Sequence, residues 1–497
     1  MPFPRIRPLP RPEEGAGSVE ELRALLAALP AEFEVPEEFP SEALDEAARA
    51  IAEHASGRGA PDWDARDLPF VTVDPASSTD LDQAVCLNRS ETGYRVFYAI
   101  ADVPSFAELG GALDAATRER GQTVYLPDRR IGLHPDEIAE DAGSLLPEQD
   151  RWAYVFAFEL DAEASVLTTG LRRAVVRSRA KLSYTGVQED LDSDRPSEFA
   201  SLLAEIGAKR IELERRRGGA SLNLPEQEVS LDEDGRLRLE SRAPLPVEDY
   251  NAQISLMTGM ETARIFLEHN TGLLRVMPAP DEEALAEFRR AASALGTPWP
   301  EGQPYGEFLR SLDTEDPRQL AIMHAAGRLF RGAGYVALPS EGASDEDLVQ
   351  AALGASYTHT TAPLRRLVDR FVLMTAELLS AGRPLPRELA EALPLLPELM
   401  KASDRKAGSL ERAAVDLVEA ATLQSRVGEE FRAAVTSTEH GKAQIALEDP
   451  AVVARVATQA AAGDIIRVRL TGVDLAARRL QFEDTGSSPV SGGSAVD

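Results

Sequence analysis

Three carboxylates stand within nine residues of this chain, in the stretch Phe70-Val71-Thr72-Val73-Asp74-Pro75-Ala76-Ser77-Ser78-Thr79-Asp80-Leu81-Asp82-Gln83-Ala84-Val85. An apolar run ends in Asp74, a turn of small residues follows, and Asp80 and Asp82 return beside it. Crowded carboxylates repel one another and lower stability unless a cation lies between them. Hard oxygen ligands favour Mg²⁺, with Mn²⁺ as the alternative, and both ions keep open positions for water and phosphate oxygens. Such an ion polarises a phosphodiester, activates water and stabilises the leaving oxygen. An acidic surface turn explains the same spacing, because Asp is a common turn residue. An EF-hand calcium loop does not, since Gly and Glu are missing from the required offsets. Spacing alone leaves turn and metal site evenly matched.

The elements that must hold this loop are legible on both sides of it. Over residues 1–60 the pattern is helical. Ser18 and Glu21 form a capping box ahead of Leu22, Leu25, Leu26 and Leu29, and Pro30 stops that helix. Ser41 caps a second helix with Leu44, Ala47, Ala48 and Ile51 on one stripe, before a linker at Gly57, Gly59 and Pro61. Two such helices suit a helix-turn-helix unit or a plain helical cap. Across residues 66–430 strands come first: Tyr94, Val96, Tyr98 and Ile100 alternate with their neighbours, as do Trp152, Tyr154, Phe156, Phe158 and Leu160. Helices follow, over Glu248–Glu268, from Tyr357 or later to Leu379, and over Pro397–Glu430 with the proline in the first turn. This order predicts an α+β domain, a mixed sheet backed by helices. Within residues 431–484, short strands at Ala433–Val435, Lys442–Leu447, Ile465–Leu470 and Arg478–Phe482 predict a small β-barrel. Residues 485–497 are rich in Gly and Ser and are expected to be a disordered tail.

Composition narrows the classes further. The 497 residues suggest about three domains. With 43% hydrophobic and 27% charged residues the chain can bury a large core. No uncharged apolar run is long enough for a membrane helix, and Met1-Pro2-Phe3-Pro4-Arg5-Ile6-Arg7 lacks the apolar core of a secretory signal. Cys86 is the only cysteine, which excludes an internal disulfide and thiolate zinc clusters. A cytoplasmic location, no membrane partner and a monomeric state are the expectations. A net charge of −30 is unusual for a phosphate binder. Basic residues nevertheless cluster at Arg172, Arg173, Arg177, Arg179 and Lys181 and at Lys209, Arg210, Arg215, Arg216 and Arg217, although solvated faces are the commoner explanation of such runs.

The loop Asp74-Pro75…Thr79-Asp80-Leu81-Asp82 resembles the signature of the catalytic domain of the ribonuclease II (RNB-domain) exoribonucleases. The resemblance continues, in order, through Ile100-Ala101-Asp102-Val103, Thr123-Val124-Tyr125-Leu126-Pro127-Asp128-Arg129 and Ala180-Lys181-Leu182-Ser183-Tyr184. It resumes at Tyr357-Thr358-His359-Thr360-Thr361-Ala362-Pro363-Leu364-Arg365-Arg366. Five collinear motifs over residues 66–430 are highly specific. The final strands, ending in Arg478-Arg479-Leu480-Gln481-Phe482, resemble an S1/OB-type RNA-binding barrel.

The resemblance implies a narrow channel for single-stranded RNA, with metal and water at its end. Carried over, Asp74 and Asp80 are metal ligands and Asp82 holds the metal-bound water or a second metal. The family's usual fourth acid is Gln83 here, which brings no charge. Arg365 contacts the scissile phosphate, because a guanidinium binds two oxygens and neutralises developing charge. Arg366 is a further RNA contact. Tyr125 matches an aromatic that stacks on terminal bases, Tyr184 a tyrosine near the cleavage point, and Glu411 a channel-lining acid. The opposite stacking residue of the family falls near Leu222. Relatives often carry two oligonucleotide-binding barrels ahead of this domain, which residues 1–60 cannot encode, so better progress into 3′-overhang duplexes is expected.

The function so implied is processive 3′→5′ hydrolysis of single-stranded RNA to nucleoside 5′-monophosphates by a metal-activated water, with Mg²⁺ or Mn²⁺ as cofactor. The alternative is an RNA-binding regulator that kept the channel and lost catalysis. A third is a phosphohydrolase acting on DNA or a small phosphodiester.

Overall fold

The computed structural model describes residues 17–487, apart from residues 223, 225, 232–236, 315, 341, 440, 448 and 451. The chain opens with α1 (Gly17–Glu32) and α2 (Ser41–Ala55). A six-stranded sheet then takes β1 (Trp63–Asp64), β2 (Phe70–Asp74), β3 (Gln83–Arg89) and β4 (Gly93–Ala101). After α3 (Ala112–Arg120) and a short hairpin of β5 (Val124–Tyr125) and β6 (Arg130–Ile131), it adds β7 (Asp150–Asp161) and β8 (Val166–Ser183). The strand order is β1-β8-β2-β3-β4-β7, and β7 also pairs with β8, so the sheet curls back on itself. The period-2 pattern of β4 is the reason it sits mid-sheet: Tyr94, Val96, Tyr98 and Ile100 are all buried on one side. Phe156 and Phe158 of β7 join them in the main core.

The second half covers that core. It comprises α4 (Tyr184–Leu191), α5 (Glu198–Arg216), the hairpin β9 (Glu226–Leu231) and β10 (Leu237–Arg242), α6 (Pro246–His269) and β11 (Gly272–Val276). Next come α7 (Glu282–Ala294), α8 (Tyr305–Arg310), α9 (Pro317–Ala326) and β12 (Gly334–Leu338), then α10 (Leu367–Ser380), α11 (Arg387–Ala392) and α12 (Leu396–Leu423). The long α6 starts where Pro246 occupies the first turn and Glu248 accepts the Leu245 N–H at 3.0 Å; it ends at Asn270 in the left-handed region. Five final strands, β13 (Glu430–Glu439), β14 (Lys442–Leu447), β15 (Val453–Ala457), β16 (Ile465–Asp474) and β17 (Arg479–Ser487), close into a barrel of order β13-β14-β15-β17-β16. The α+β architecture with a terminal small barrel is thus the one expected. No helix among the described residues is long and apolar enough to cross a membrane.

Several local expectations change. Pro30 does not stop α1, which runs on to Glu32, because the N–H groups of Phe33 and Val35 still reach the carbonyls of Leu29 and Pro30. The side chain of Ser18 lies outside the described residues. Ser41 is the first helical residue and not the cap: Pro40 precedes it, and the Ser41 hydroxyl turns to Glu42. The buried stripe of α2 is Ala43 and Ala47, leaving Leu44 43% exposed. The two helices seat on different neighbours. Leu22, Leu26 and Leu29 enter a core shared with α12 and the barrel, where burying each leucine contributes about 2 kcal/mol. Ala43 and Ala47 pack with Phe106, Leu113, Ala116 and Ile138. The late helix ends at Leu423 and not at Glu430, since a 3₁₀ turn and Gly428 at φ +95° redirect the chain into β13. Of the expected tail, Thr485–Ser487 belong to β17, with Ser487 opposite Ile466; residues 488–497 lie outside the described residues.

Candidate active site

All five motif segments meet at one end of the sheet. Because β2 runs parallel to β8, Asp74 lies opposite Ser183, which places Tyr184 at the start of α4 beside the aspartate loop. That loop, residues 75–82, is pinned from three sides. Lys181 Nζ donates to the carbonyls of Ala76 and Ser78 at 2.7 and 2.5 Å. The buried Ser144 hydroxyl donates to Thr79 O at 2.8 Å and accepts the Leu81 N–H at 2.9 Å. The Ala101 N–H reaches Asp82 O at 2.9 Å. A loop so anchored presents its carboxylates from a rigid frame.

Opposite it lies the segment 357–366. Its approach to α6 requires Gly259, where a Cβ would sit 2.2 Å from the Tyr357 ring. The Ala362 N–H donates to Asp369 Oδ1 at 2.8 Å, and the Arg365 carbonyl accepts from Thr123 N at 2.9 Å. The two loops join directly. Leu364 N–H donates to Asp82 Oδ1 at 2.8 Å across 282 positions of sequence, and Arg365 Nε stands 3.7 Å from Asp82 Oδ2. Asp82 is buried and Arg365 39% exposed, so the guanidinium links the interior carboxylate to solvent.

Burial governs the electrostatics here. It pushes Asp74 up to about 7, with the charge of Asp80 adding and those of Lys181 and Arg365 opposing. Asp82 is raised well above the ordinary range, again by burial first, against the pull of Arg365. Such elevation is the condition that a bound cation relieves, and an all-carboxylate donor set suits Mg²⁺ or Mn²⁺. Among the described residues no group of three His, Cys, Asp or Glu is arranged as a ready cage for a metal ion, although the charge of Asp80 is felt by both Asp74 and Asp82. Asp80 is drawn 3.2 Å from Arg130 Nη1, while Asp82 is engaged by Leu364 and Arg365. Gln83 is equally engaged. Its amide N–H₂ donates to Thr361 O, and its oxygen accepts the Tyr98 hydroxyl at 3.2 Å, so it ties two segments together.

The raised Asp74 carries a testable sign. Its folded value lies above the ordinary 3.8, so its contribution to stability is complete below that value and is lost as pH rises through about 7. In chelator, the melting temperature of the chain relative to an Asp74→Asn variant should fall from about pH 5 to about pH 8, and Mg²⁺ should lessen the fall. A pH profile indifferent to Mg²⁺ would remove Asp74 from any cation site.

Tyr125 sits at the turn of the β5–β6 hairpin, 45% exposed, its hydroxyl raised first by desolvation and then by Asp80 and Asp82. Glu411 of α12 is raised by burial, against the opposing pull of the nearby Tyr125 backbone N–H. The Tyr184 hydroxyl is 3.4 Å from Asn251 Nδ2. These residues border the same two loops. Arg366 differs: its guanidinium, 16% exposed, pairs with Asp369 at 2.7 Å and braces its own loop. Leu222 packs against the Phe288–Trp299–Phe308 cluster of the helical insertion α7–α9. Most of the basic clusters are internally engaged: Arg173 with the buried Asp102, Arg177 with Asp150, Lys209 with Glu205, and Arg215 and Arg216 with Glu212. Sequence reasoning missed Arg130, Ser144 and the Gln83–Tyr98–Thr361 link; only the second arginine of Arg129-Arg130 offered a signal.

An α+β domain with an aspartate loop facing an arginine loop, followed by a five-stranded barrel, is the class that fold and site define. The RNB domain family matches residues 63–379, and the RNase II-type exonuclease C-terminal S1 domain matches residues 429–485. The chain belongs to the RNB family. Ribonuclease R of Chlamydia muridarum is 28% identical over 375 residues, 72% of this chain and 52% of that protein. Ribonuclease R of Escherichia coli is 29% identical over 324 residues, 62% of this chain and 39% of that protein. The chain thus spans about half the length of these curated relatives. Among solved structures, Mycoplasma genitalium RNase R in complex with ribose methylated single-stranded RNA aligns with a TM-score of 0.84 at 19% identity, over 94% of this chain and 78% of that one. Yeast Ssd1, a pseudonuclease, aligns at 0.65 with 17% identity, over 86% and 53%. At these identities the structural likeness is one of fold.

Proposed function

We propose that this chain is a 3′→5′ exoribonuclease that hydrolyses single-stranded RNA processively to nucleoside 5′-monophosphates. The observation that carries the reading is the junction of the two loops, where Leu364 N–H and Arg365 close on Asp82. Arg365 is the group that meets the scissile phosphate, and its exposure leaves it free to do so. Tyr125 offers a face for stacking a terminal base, which tolerates any sequence. Asp74, Asp80 and Asp82 would hold the divalent cation, which supplies an activated water and polarises the phosphodiester. Asp82 orients that centre because its other oxygen is fixed by the Leu364 peptide. Glu411 lies near the Tyr125 backbone, as a channel-lining acid beside the stacking residue.

A second reading, an RNA-binding regulator without catalysis, draws on Gln83, whose amide is occupied within the protein and adds no charge. The retained Asp74, Asp80, Asp82 and Arg365 oppose it. The test is incubation with Mg²⁺ or Mn²⁺ and 5′-labelled RNA or DNA of equal sequence. Progressive shortening of RNA from its 3′ end with release of mononucleotides, and intact DNA, is the expected result. Bound but uncut RNA would favour the regulator, and comparable cutting of DNA the general phosphohydrolase.

A further inference from the structure

Leu364 is held at both of its backbone polar atoms, which belong to two successive peptides. Its N–H goes to Asp82, and its carbonyl oxygen lies 3.1 Å from His134 Nδ1. A carbonyl can only accept, so Nδ1 carries the proton and donates. His134 follows β6, is buried at 1% exposure, and belongs to the segment that also supplies Tyr125. A parallel tie runs beside it: Leu133 N–H donates to Thr123 Oγ1 at 3.0 Å, and Thr123 N–H donates to the Arg365 carbonyl at 2.9 Å. Two consecutive carbonyls of the arginine loop are thus held by the segment that carries Tyr125. Burial, reinforced by the charges of Arg370 and Arg120, pushes the imidazole down to about 3, so the ring is neutral with a single proton.

We propose that His134 is a positioning residue: by donating from Nδ1 to the Leu364 carbonyl, it fixes the Leu364–Arg365 peptide, the backbone from which Arg365 reaches the phosphate, directly after the peptide whose N–H binds Asp82. This rests on the reading of Arg365 and Asp82 as the groups that act on a phosphodiester. The donor matters because the Leu364–Arg365 peptide is otherwise held only by the long Arg365 N–H bond to the Ala362 carbonyl, at 3.3 Å. Rotating that peptide moves Arg365 and, through the Cα of Leu364, disturbs the adjoining N–H contact to Asp82. A displacement of this size costs rate through lost alignment and leaves stacking at Tyr125 untouched.

Two variants of the full chain separate donation from packing. His134→Asn loses ring volume but keeps an amide N–H close to the place of Nδ1. His134→Leu keeps more apolar bulk and has no donor. Single-turnover cleavage and equilibrium binding are measured on one unstructured RNA, with melting temperatures alongside. His134→Leu should lose about tenfold in the cleavage step with binding within about twofold, and His134→Asn should recover most of the loss. Packing alone reverses that ranking, and either the reversed ranking or full activity of His134→Leu overturns the proposal. An unsubstituted chain that leaves RNA uncut refutes the nuclease reading instead. A crystal structure of His134→Leu beside the unsubstituted chain then decides the positioning role without turnover. A shifted segment 362–366 supports it, and an unmoved one overturns it.

Discussion

Asp82→Asn should slow RNA cleavage at least ~100-fold while RNA binding survives. The substitution keeps the shape of a side chain that is 4% exposed and lets an amide oxygen still accept the Leu364 N–H. What it removes is the negative charge facing Arg365 and the proposed cation. Stabilisation of a transition state by a metal is worth several kcal/mol, and losing half of it at about 1.4 kcal/mol per tenfold sets the expected drop. In the proposed mechanism binding rests on stacking at Tyr125, so it should hold, or tighten as one repulsion against the phosphate disappears. Single-turnover cleavage and equilibrium binding on the same unstructured RNA provide the check. Near-normal cleavage would take Asp82 out of the mechanism. Joint loss of binding and cleavage would mean that the loop had misfolded.

The largest effect on stability should come from Asp114→Ala, at about 3 kcal/mol or more. Arg370 of α10 is completely buried, and its guanidinium pairs with Asp114 of α3, which also accepts Arg118 Nε at 2.9 Å and Gly110 N at 2.9 Å. Removing the carboxylate strands a cation in the interior, where charge without a partner is far more costly than the absence of the pair. A double variant, Asp114→Leu with Arg370→Met, should therefore lose less than Asp114→Ala alone. Denaturant midpoints of the three proteins test this ordering. A single-variant loss under about 1 kcal/mol would show that the site admits water and the charge is solvated. The pair also bears on the active site, because α10 begins at Leu367, immediately after the arginine loop.

Much of this protein was legible before any fold was known, and the reason is locality. The alternation of Tyr94 to Ile100 reports one buried face of a strand, and Pro246 with Glu248 reports a helix start; each signal lies within a few residues of the thing it specifies. The acidic loop, the five ordered motifs and the final barrel were readable in the same way. Where local signals competed, they misled. Gly428, and not the helical pattern running to Glu430, decided where α12 stops, and Pro40 displaced Ser41 from the cap position.

What the tertiary structure alone decided is which charges meet. Asp82 and Leu364 are 282 positions apart in the chain, and only the curl of the sheet against α6 and α10 brings them to 2.8 Å. The same packing gave Asp80 to Arg130 and Gln83 to Thr361 and Tyr98, so side chains of equal promise in the sequence received different work. It also set the protonation of Asp74 and His134, because burial and neighbouring charge, which no linear spacing records, determine how readily a group ionises. Residue types and local order specify which elements form and which chemistry is available to them. Contacts between distant segments select which residues can perform it, because electrostatics and hydrogen bonds act over ångströms of space and not over positions of sequence.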